Sequence, residues 1–149
     1  MTRVLFLDID GVLNSDGYRH GTGFGVSANE LIDPAAVETL NEITRRWSLK
    51  VVVSSSWRVM PEVEGILRAN GVQADIIGKT PAQPGPRCRE IERWLAEHPE
   101  VTSYVILDDD ADMGAMLDHL VQTDYRHGLR SEHIARVGAA LNVRVGEPR

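Results

Sequence analysis

The chain has 149 residues, 42% hydrophobic and 26% charged, with a formal net charge of −6, which is about one domain of ordinary globular composition. Without a Lys/Arg block it does not support broad electrostatic capture of nucleic acid, though a local basic site is compatible with it. No apolar run approaches the ~20 residues of a membrane helix, no charged leader precedes the first apolar run, and the single Cys88 excludes an intramolecular disulfide or thiolate metal cluster; a cytoplasmic protein with no membrane partner is expected.

Arg3 to Leu7 reads as a first strand that runs into Asp8-Ile9-Asp10-Gly11. Asn14 to Glu30 is a polar loop carrying Gly17, Gly21, Gly23 and Gly25, with His20 on it. Its glycine run joins no strand to a helix, so it reads as a flap and not a dinucleotide fingerprint. Asp33-Pro34 is a helix start, an acid at the N-cap and proline in the first turn, and Ala36, Leu40, Ile43 and Trp47 then follow helical spacing. Lys50 to Val53 is a second strand, stopping at Ser54-Ser55-Ser56. Pro61 to Asn70 is a helix with Val63, Ile66 and Leu67 on one face and Gly71 at its C-terminal cap. Ala74 to Ile77 is a third strand, and Pro81 to Pro86 a connector too short for an interdomain linker. A helix from Arg87 carries Cys88, Ile91, Trp94 and Leu95 on one face and stops near Pro99. Tyr104 to Leu107 is a fourth strand, ending at Asp108-Asp109-Asp110. Met113, Met116, Leu117 and Leu120 have helical spacing, Val121 to Thr123 is a short fifth strand, and Ser131 caps a last helix with Ile134, Val137 and Leu141 inward.

Strands alternating with helices predict an α/β fold: a mostly parallel five-stranded sheet covered on both faces, as one domain over residues 1–149. Ligands bind beyond the carboxyl ends of such strands, so Asp8/Asp10, Ser54 and Asp108/Asp109 should converge on one edge. Two carboxylates at the end of a buried strand are costly unless a positive charge sits between them. The set suits phosphoryl transfer. Mg²⁺, held by Asp8 and Asp108, would bring a phosphate toward the acids. One carboxylate would attack phosphorus, and a second acid would protonate the leaving oxygen and later activate water. A hydroxyl and a cation would hold the phosphoryl oxygens.

These motifs resemble those of the haloacid dehalogenase (HAD) superfamily of phosphohydrolases, whose three-layer Rossmann-like fold is then implied. Leu7-Asp8-Ile9-Asp10-Gly11-Val12-Leu13-Asn14 is similar to the first motif. The resemblance makes Asp8 nucleophile and metal ligand. It makes Asp10 the general acid/base and a ligand through its backbone carbonyl. Val51-Val52-Val53-Ser54 resembles the second motif, in which Ser54 binds the phosphoryl group, with Ser55 next to it. Leu107-Asp108-Asp109 resembles the acidic metal-binding fourth. For the basic third motif Arg87 is the choice, with Arg89 and Lys79 as rivals. Asn14, Ser55 and Arg58 are assigned toward substrate, although Arg58 also reads as a salt-bridge partner and Trp57 as either a base-stacking or a core ring. Asp112 is a candidate distal acid. Asp110 is read as solvated and Cys88 as buried and inert.

A narrower resemblance, to the small HAD domain of Swiss Army Knife RNA repair proteins, rests on Val53-Ser54-Ser55-Ser56-Trp57-Arg58, Gly78-Lys79-Thr80-Pro81, Arg87-Cys88-Arg89-Glu90-Ile91 and Ile106-Leu107-Asp108-Asp109-Asp110. The family often has glycine where this chain has Cys88. It implies removal of phosphate from RNA ends. The intervals Asn14–Glu30 and Val59–Pro86 leave no room for a cap domain. An open site favours a nucleic-acid end or nucleotide over a small metabolite, or assembly with a partner protein that covers it. Two other readings compete. A response-regulator receiver domain needs its phosphorylated Asp where this chain has Ser54. A non-catalytic HAD-like module is not favoured by four filled motifs.

Overall fold

The computed structural model describes residues 2–18 and 32–143. Thr2–Leu7 (β1) sends Leu5 and Leu7 into one apolar layer and Val4 and Phe6 into the other, all four fully buried. Burial on both faces is what a parallel sheet covered by helices requires. Lys50–Val53 (β2), Ile76–Lys79 (β3), Val101–Asp108 (β4) and Leu120–Gln122 (β5) complete a five-stranded sheet in the order β3-β2-β1-β4-β5, every pair parallel. "Mostly parallel" thus becomes all parallel.

Pro34–Arg46 (α1), Val63–Ala69 (α2) and Ile134–Leu141 (α4) cover one face through Leu40, Ile43, Leu67 and Val137. Arg87–Ala96 (α3) covers the other through Ile91 and Trp94, and Phe6 meets the Trp94 ring edge-on at 5.4 Å. Truncating a ring so placed costs about 3–5 kcal/mol. Asp33 caps α1 as expected, its side chain accepting from Ala35 N–H at 2.9 Å. No helix of the described residues is long and apolar enough to cross a membrane.

Register sets the site. Leu7 pairs with Val53 on one side and Leu107 on the other, so the next residues, Asp8, Ser54 and Asp108, emerge together at the carboxyl edge. Backbone bonds continue the ladder there: Asp8 N–H donates to Leu107 O at 3.0 Å and Ser54 N–H to Leu7 O at 2.9 Å. Residues 59–86 hold only α2, β3 and their connections, which leaves no cap domain in that interval. The glycine-rich flap and His20 lie outside the described residues.

Several boundaries differ from those the sequence predicts. β3 lies two residues later, because Gly78 and Lys79 continue the pairing with Val52 and Val53 of β2. The chain enters α2 through a 3-10 turn at Ser56–Val59, so that helix begins at Val63 and not Pro61. Gly114, at φ +52°, opens a second 3-10 turn over Gly114–His119 in place of the expected helix. Leu117 is exposed and Leu120 opens β5. Ser131 caps nothing: Arg130 N–H donates to Nδ1 of the buried His133 at 2.9 Å at the start of a 3-10 turn leading into α4.

Candidate active site

The end of the central strand delivers Asp8 into a nearly closed corner. Its Oδ1 accepts from Ile9 N–H at 2.9 Å. Arg87, first residue of α3, places Nη1 2.9 Å from Asp8 Oδ1 and donates to Asp108 Oδ2 at 3.0 Å. Asp108, at the end of β4, is buried, and its Oδ1 accepts from Asp110 N–H at 3.0 Å. Carboxylate oxygens of Asp8, Asp108 and Asp109 lie within 4.8 Å of one another. Burial first, and then repulsion from Asp108, push Asp8 up to about 8 from the usual carboxylate range, with Arg87 pulling the other way. Burial and Asp108 raise Asp109 as well. Burial opposes the charge on Arg87, but Asp8 and Asp108 outweigh it and hold the guanidinium above its ordinary value. Three acids against one cation leave the cluster short of positive charge. An all-oxygen donor set with that deficit fits a hard divalent cation such as Mg²⁺.

Asp10 stands beside this cluster and is held separately. Its Oδ1 accepts from Asn14 Nδ2 at 2.9 Å, and both carboxylate oxygens lie 3.2 Å from the Trp57 indole Nε1, which donates to them. Asn14 is buried and its own Oδ1 accepts from Gly11 N–H at 3.0 Å. Asn14, expected toward substrate, is thus engaged in orienting Asp10. Gly11 has φ +85°, and a Cβ there would sit 2.6 Å from Asp109 Cγ. The turn therefore requires glycine both for its backbone and for the approach of Asp109. The Thr123 hydroxyl, at the end of β5, donates to Gly11 O at 2.7 Å and pins the turn to the sheet.

Ser54 is fully buried and its Oγ has no hydrogen-bond partner among the described residues. Ser55 Oγ accepts from Trp57 N–H at 3.2 Å, so the second serine caps the 3-10 turn. Arg58 Nη2 lies 2.6 Å from Glu90 Oε2, both side chains largely buried, and Arg58 Nη1 donates to Ser55 O at 3.0 Å. Glu90 Oε2 lacks hydrogen-bond alignment in that approach, so the contact is an ion pair off the in-line direction. Of the three cations considered for the third motif, the structure brings Arg87 to the acids. Lys79 instead donates to Arg58 O at 3.1 Å, and Arg89 is exposed beside Gln83, Glu92 and Arg93. Asp110 and Asp112 are exposed, and Cys88 is half-buried, less enclosed than expected.

Sequence reasoning missed three participants: the Trp57 indole on Asp10, Glu90 as the partner of Arg58, and Thr123. Its position after three serines marks Trp57 in the sequence only as a stacking or core ring. Glu90 is a buried acid one turn into α3, and no local pattern marks its partner. Thr123 has no signal beyond its place at the end of a strand.

Residues 4–134 match the family model described as the HAD domain in Swiss Army Knife RNA repair proteins. The chain belongs to that family. Membership brings a phosphohydrolase-type function and a divalent metal as the usual cofactor of HAD domains, and the Asp8/Asp108/Asp109 cluster is compatible with such an ion. No curated protein sequence matches the chain. A solved crystal structure aligns at 15% identity with a TM-score of 0.49, covering 94% of this chain and 81% of that one, a likeness too slight to support a functional comparison. Within this HAD domain, Asp8 and Ser54 follow β1 and β2, Asp108 ends β4, and Arg87 opens α3.

Proposed function

We propose that this HAD domain is a Mg²⁺-dependent phosphomonoesterase that forms an aspartyl-phosphate on Asp8, and that it acts on a phosphate at a nucleic-acid end. The observation that carries the reading is the division between two kinds of acid. Asp8 lies in the oxygen cluster with Asp108, Asp109 and Arg87, whereas Asp10 is held outside it by Trp57 and Asn14. One group is placed to attack and the other to move a proton.

In this reading Asp8, Asp108 and Asp109 would hold the cation, and the family resemblance would add the Asp10 backbone carbonyl. When bound, the ion neutralises the carboxylates and the incoming phosphate and lowers the cost of bringing them together. A carboxylate oxygen of Asp8 forms a bond to phosphorus as the ester P–O bond breaks. The Asp10 carboxyl gives its proton to the leaving oxygen. The resulting Asp10 carboxylate then takes a proton from water, whose oxygen attacks phosphorus and releases Asp8 and inorganic phosphate. The unpartnered Ser54 hydroxyl donates to a phosphoryl oxygen, and Arg87 supplies the positive charge beside it. Trp57 and Asn14 keep Asp10 aimed through both steps.

A nucleic-acid end is supported by the family's association with RNA repair and by the absence of a cap domain in residues 59–86, which leaves that side of the edge open to a large substrate or a covering partner protein. The test is a phosphate-release screen with Mg²⁺ over 3′- and 5′-phosphorylated oligonucleotides, nucleotides, phosphosugars and phosphopeptides. Release should be highest on oligonucleotide ends, vanish in EDTA and fall by about 10³-fold or more in Asp8→Asn. Asp10→Asn should leave phosphoenzyme to accumulate. Full activity in Asp8→Asn, or indifference to EDTA, would overturn the mechanism, and a preference for phosphosugars would overturn the substrate class.

A further inference from the structure

We infer that the Arg58–Glu90 pair is a positioning device that locks the two phosphate-gripping pieces of the site, the Ser54 turn and the Arg87 helix start, into one geometry. The inference rests on the phosphohydrolase reading for what those pieces grip.

The two pieces come from different parts of the chain. Ser54 follows β2, and its turn continues through Ser55 into the 3-10 segment that carries Arg58. Arg87 opens α3 after a connector containing Pro81, Pro84 and Pro86, and no side chain caps that helix start. A helix so entered takes its placement from what its first turn touches. Its apolar side is set by Ile91 and Trp94 against the sheet, and Arg87 itself is held at the far end by Asp8 and Asp108. Glu90 lies one turn after Arg87, is buried, and meets Arg58 at 2.6 Å. The same guanidinium donates to Ser55 O, the carbonyl directly after Ser54, at 3.0 Å. Arginine's fork lets one side chain hold both points at once, which a lysine does less well. Lys79, at the end of β3, donates to Arg58 O at 3.1 Å and steadies the turn from its other side.

The result is a continuous chain of polar contacts. Ser54 leads through Ser55 O to Arg58, then to Glu90, and through one helical turn to Arg87, which ends on Asp8 and Asp108. Arg58 is therefore a positioning residue, and its charge is spent on Glu90 and not on substrate. Misplacement of a reacting or gripping group by about 1 Å costs on the order of 100-fold in rate, which is the scale on which the pair should be felt.

The experiment compares wild type with Arg58→Met, Arg58→Lys, Glu90→Gln and the volume-matched double Arg58→Met/Glu90→Met. Readouts are steady-state kinetics on p-nitrophenyl phosphate with Mg²⁺ and hydrogen exchange of residues 54–60 and 87–91. Either single change should lower kcat by about 10- to 100-fold, with a smaller change in KM. The two should be non-additive, the double variant no slower than the worse single. Arg58→Lys should recover part of the loss. Exchange in the two segments should rise together in the singles and the double. The double leaves no unpaired buried charge, so it keeps the test open should a single variant fail to fold. A raised KM in Arg58→Met with a silent Glu90→Gln would make Arg58 a substrate contact and overturn the inference. So would unchanged exchange in the double variant. Exchange does not depend on turnover, so an inactive wild type would fail the phosphatase reading and leave the coupling of the two segments independently measured.

Discussion

Chelation should make the stability of this protein fall as pH rises, and Mg²⁺ should abolish that fall. Asp8 sits at about 8 in the folded chain, against about 4 for an aspartate in an unfolded one. Between those values the folded state holds a proton that the unfolded chain has lost, so the slope of unfolding free energy against pH is negative. The stabilisation present in acid is lost progressively from about pH 4 through about pH 8, then levels off. Four units at about 1.4 kcal/mol each set a ceiling of roughly 5–6 kcal/mol. Asp8 shares its titration with the neighbouring acids, which brings the expected loss to about 2–4 kcal/mol. For a domain of this size that is roughly 5–15 °C in Tm. Binding of the cation requires the carboxylate form, so saturating Mg²⁺ removes the proton and with it the penalty. The assay is thermal unfolding from pH 5 to pH 9 in EDTA and in Mg²⁺, for wild type and Asp8→Asn. His119 and His133, both lowered by burial, work in the opposite sense. They withdraw stability as pH falls below about 6.5, independently of the metal, so the quantity to read is the difference between the two curves. Wild-type curves that run parallel in EDTA and Mg²⁺, or an Asp8→Asn curve in EDTA that falls as steeply as wild type, would refute the account.

Trp57→Phe keeps the ring and removes the indole N–H from both oxygens of Asp10. A hydrogen bond to a charged group is worth about 1.5–3 kcal/mol, so kcat should drop about 10- to 100-fold with little change in KM, and an unchanged kcat would remove Trp57 from the account of Asp10. Gly11→Ala forces a Cβ to within 2.6 Å of Asp109 Cγ at a backbone φ of +85°. Mg²⁺ affinity, measured by calorimetry, should weaken roughly 10- to 100-fold, and wild-type affinity in the variant would show that Asp109 is not held by that turn. At neutral pH, Mg²⁺ binding should release about one proton, because the Asp8 carboxyl must ionise to become a ligand. Binding heats that do not vary with the ionisation enthalpy of the buffer would contradict this.

Sequence and structure agree most closely where the signal is local. The apolar run into Asp8 marks a buried strand and its end, and Asp33-Pro34 marks a helix start; both stand where expected. The resemblance points to Arg87 as a cation at a helix start, with Arg89 and Lys79 as rivals, and the structure opens α3 with Arg87 beside Asp8 and Asp108. What escaped was the choice of partners. The sequence points Asn14 and Ser55 toward substrate and leaves Arg58 between substrate and a salt bridge, without naming a partner for any of them. Each instead satisfies a neighbour: Asp10, Trp57 N–H and Glu90. Polar residues beside a site are as often needed to hold it as to touch the ligand, and sequence spacing does not tell the two apart. The 3-10 turns escaped for a related reason. Met113, Met116 and Leu117 have helical spacing, but Gly114 at positive φ and the need to bring Leu120 into β5 override it.

In the proposed reading, the strand order explains why the acid cluster would take a cation. β1 is the central strand of β3-β2-β1-β4-β5, and the acid that follows it is flanked by the chain ends of β2 and β4. Asp8 is consequently buried and faces Asp108 across one ladder position. Centrality brings serine, arginine and a second pair of acids within reach of Asp8, and the same centrality strips its water and pushes its proton affinity up. One guanidinium shared between two carboxylates offsets part of that cost. The remainder calls for either a proton or a divalent ion. A proton would silence the nucleophile proposed at Asp8, and an ion would not. In the proposed mechanism, metal dependence therefore follows from the position of β1 in the sheet.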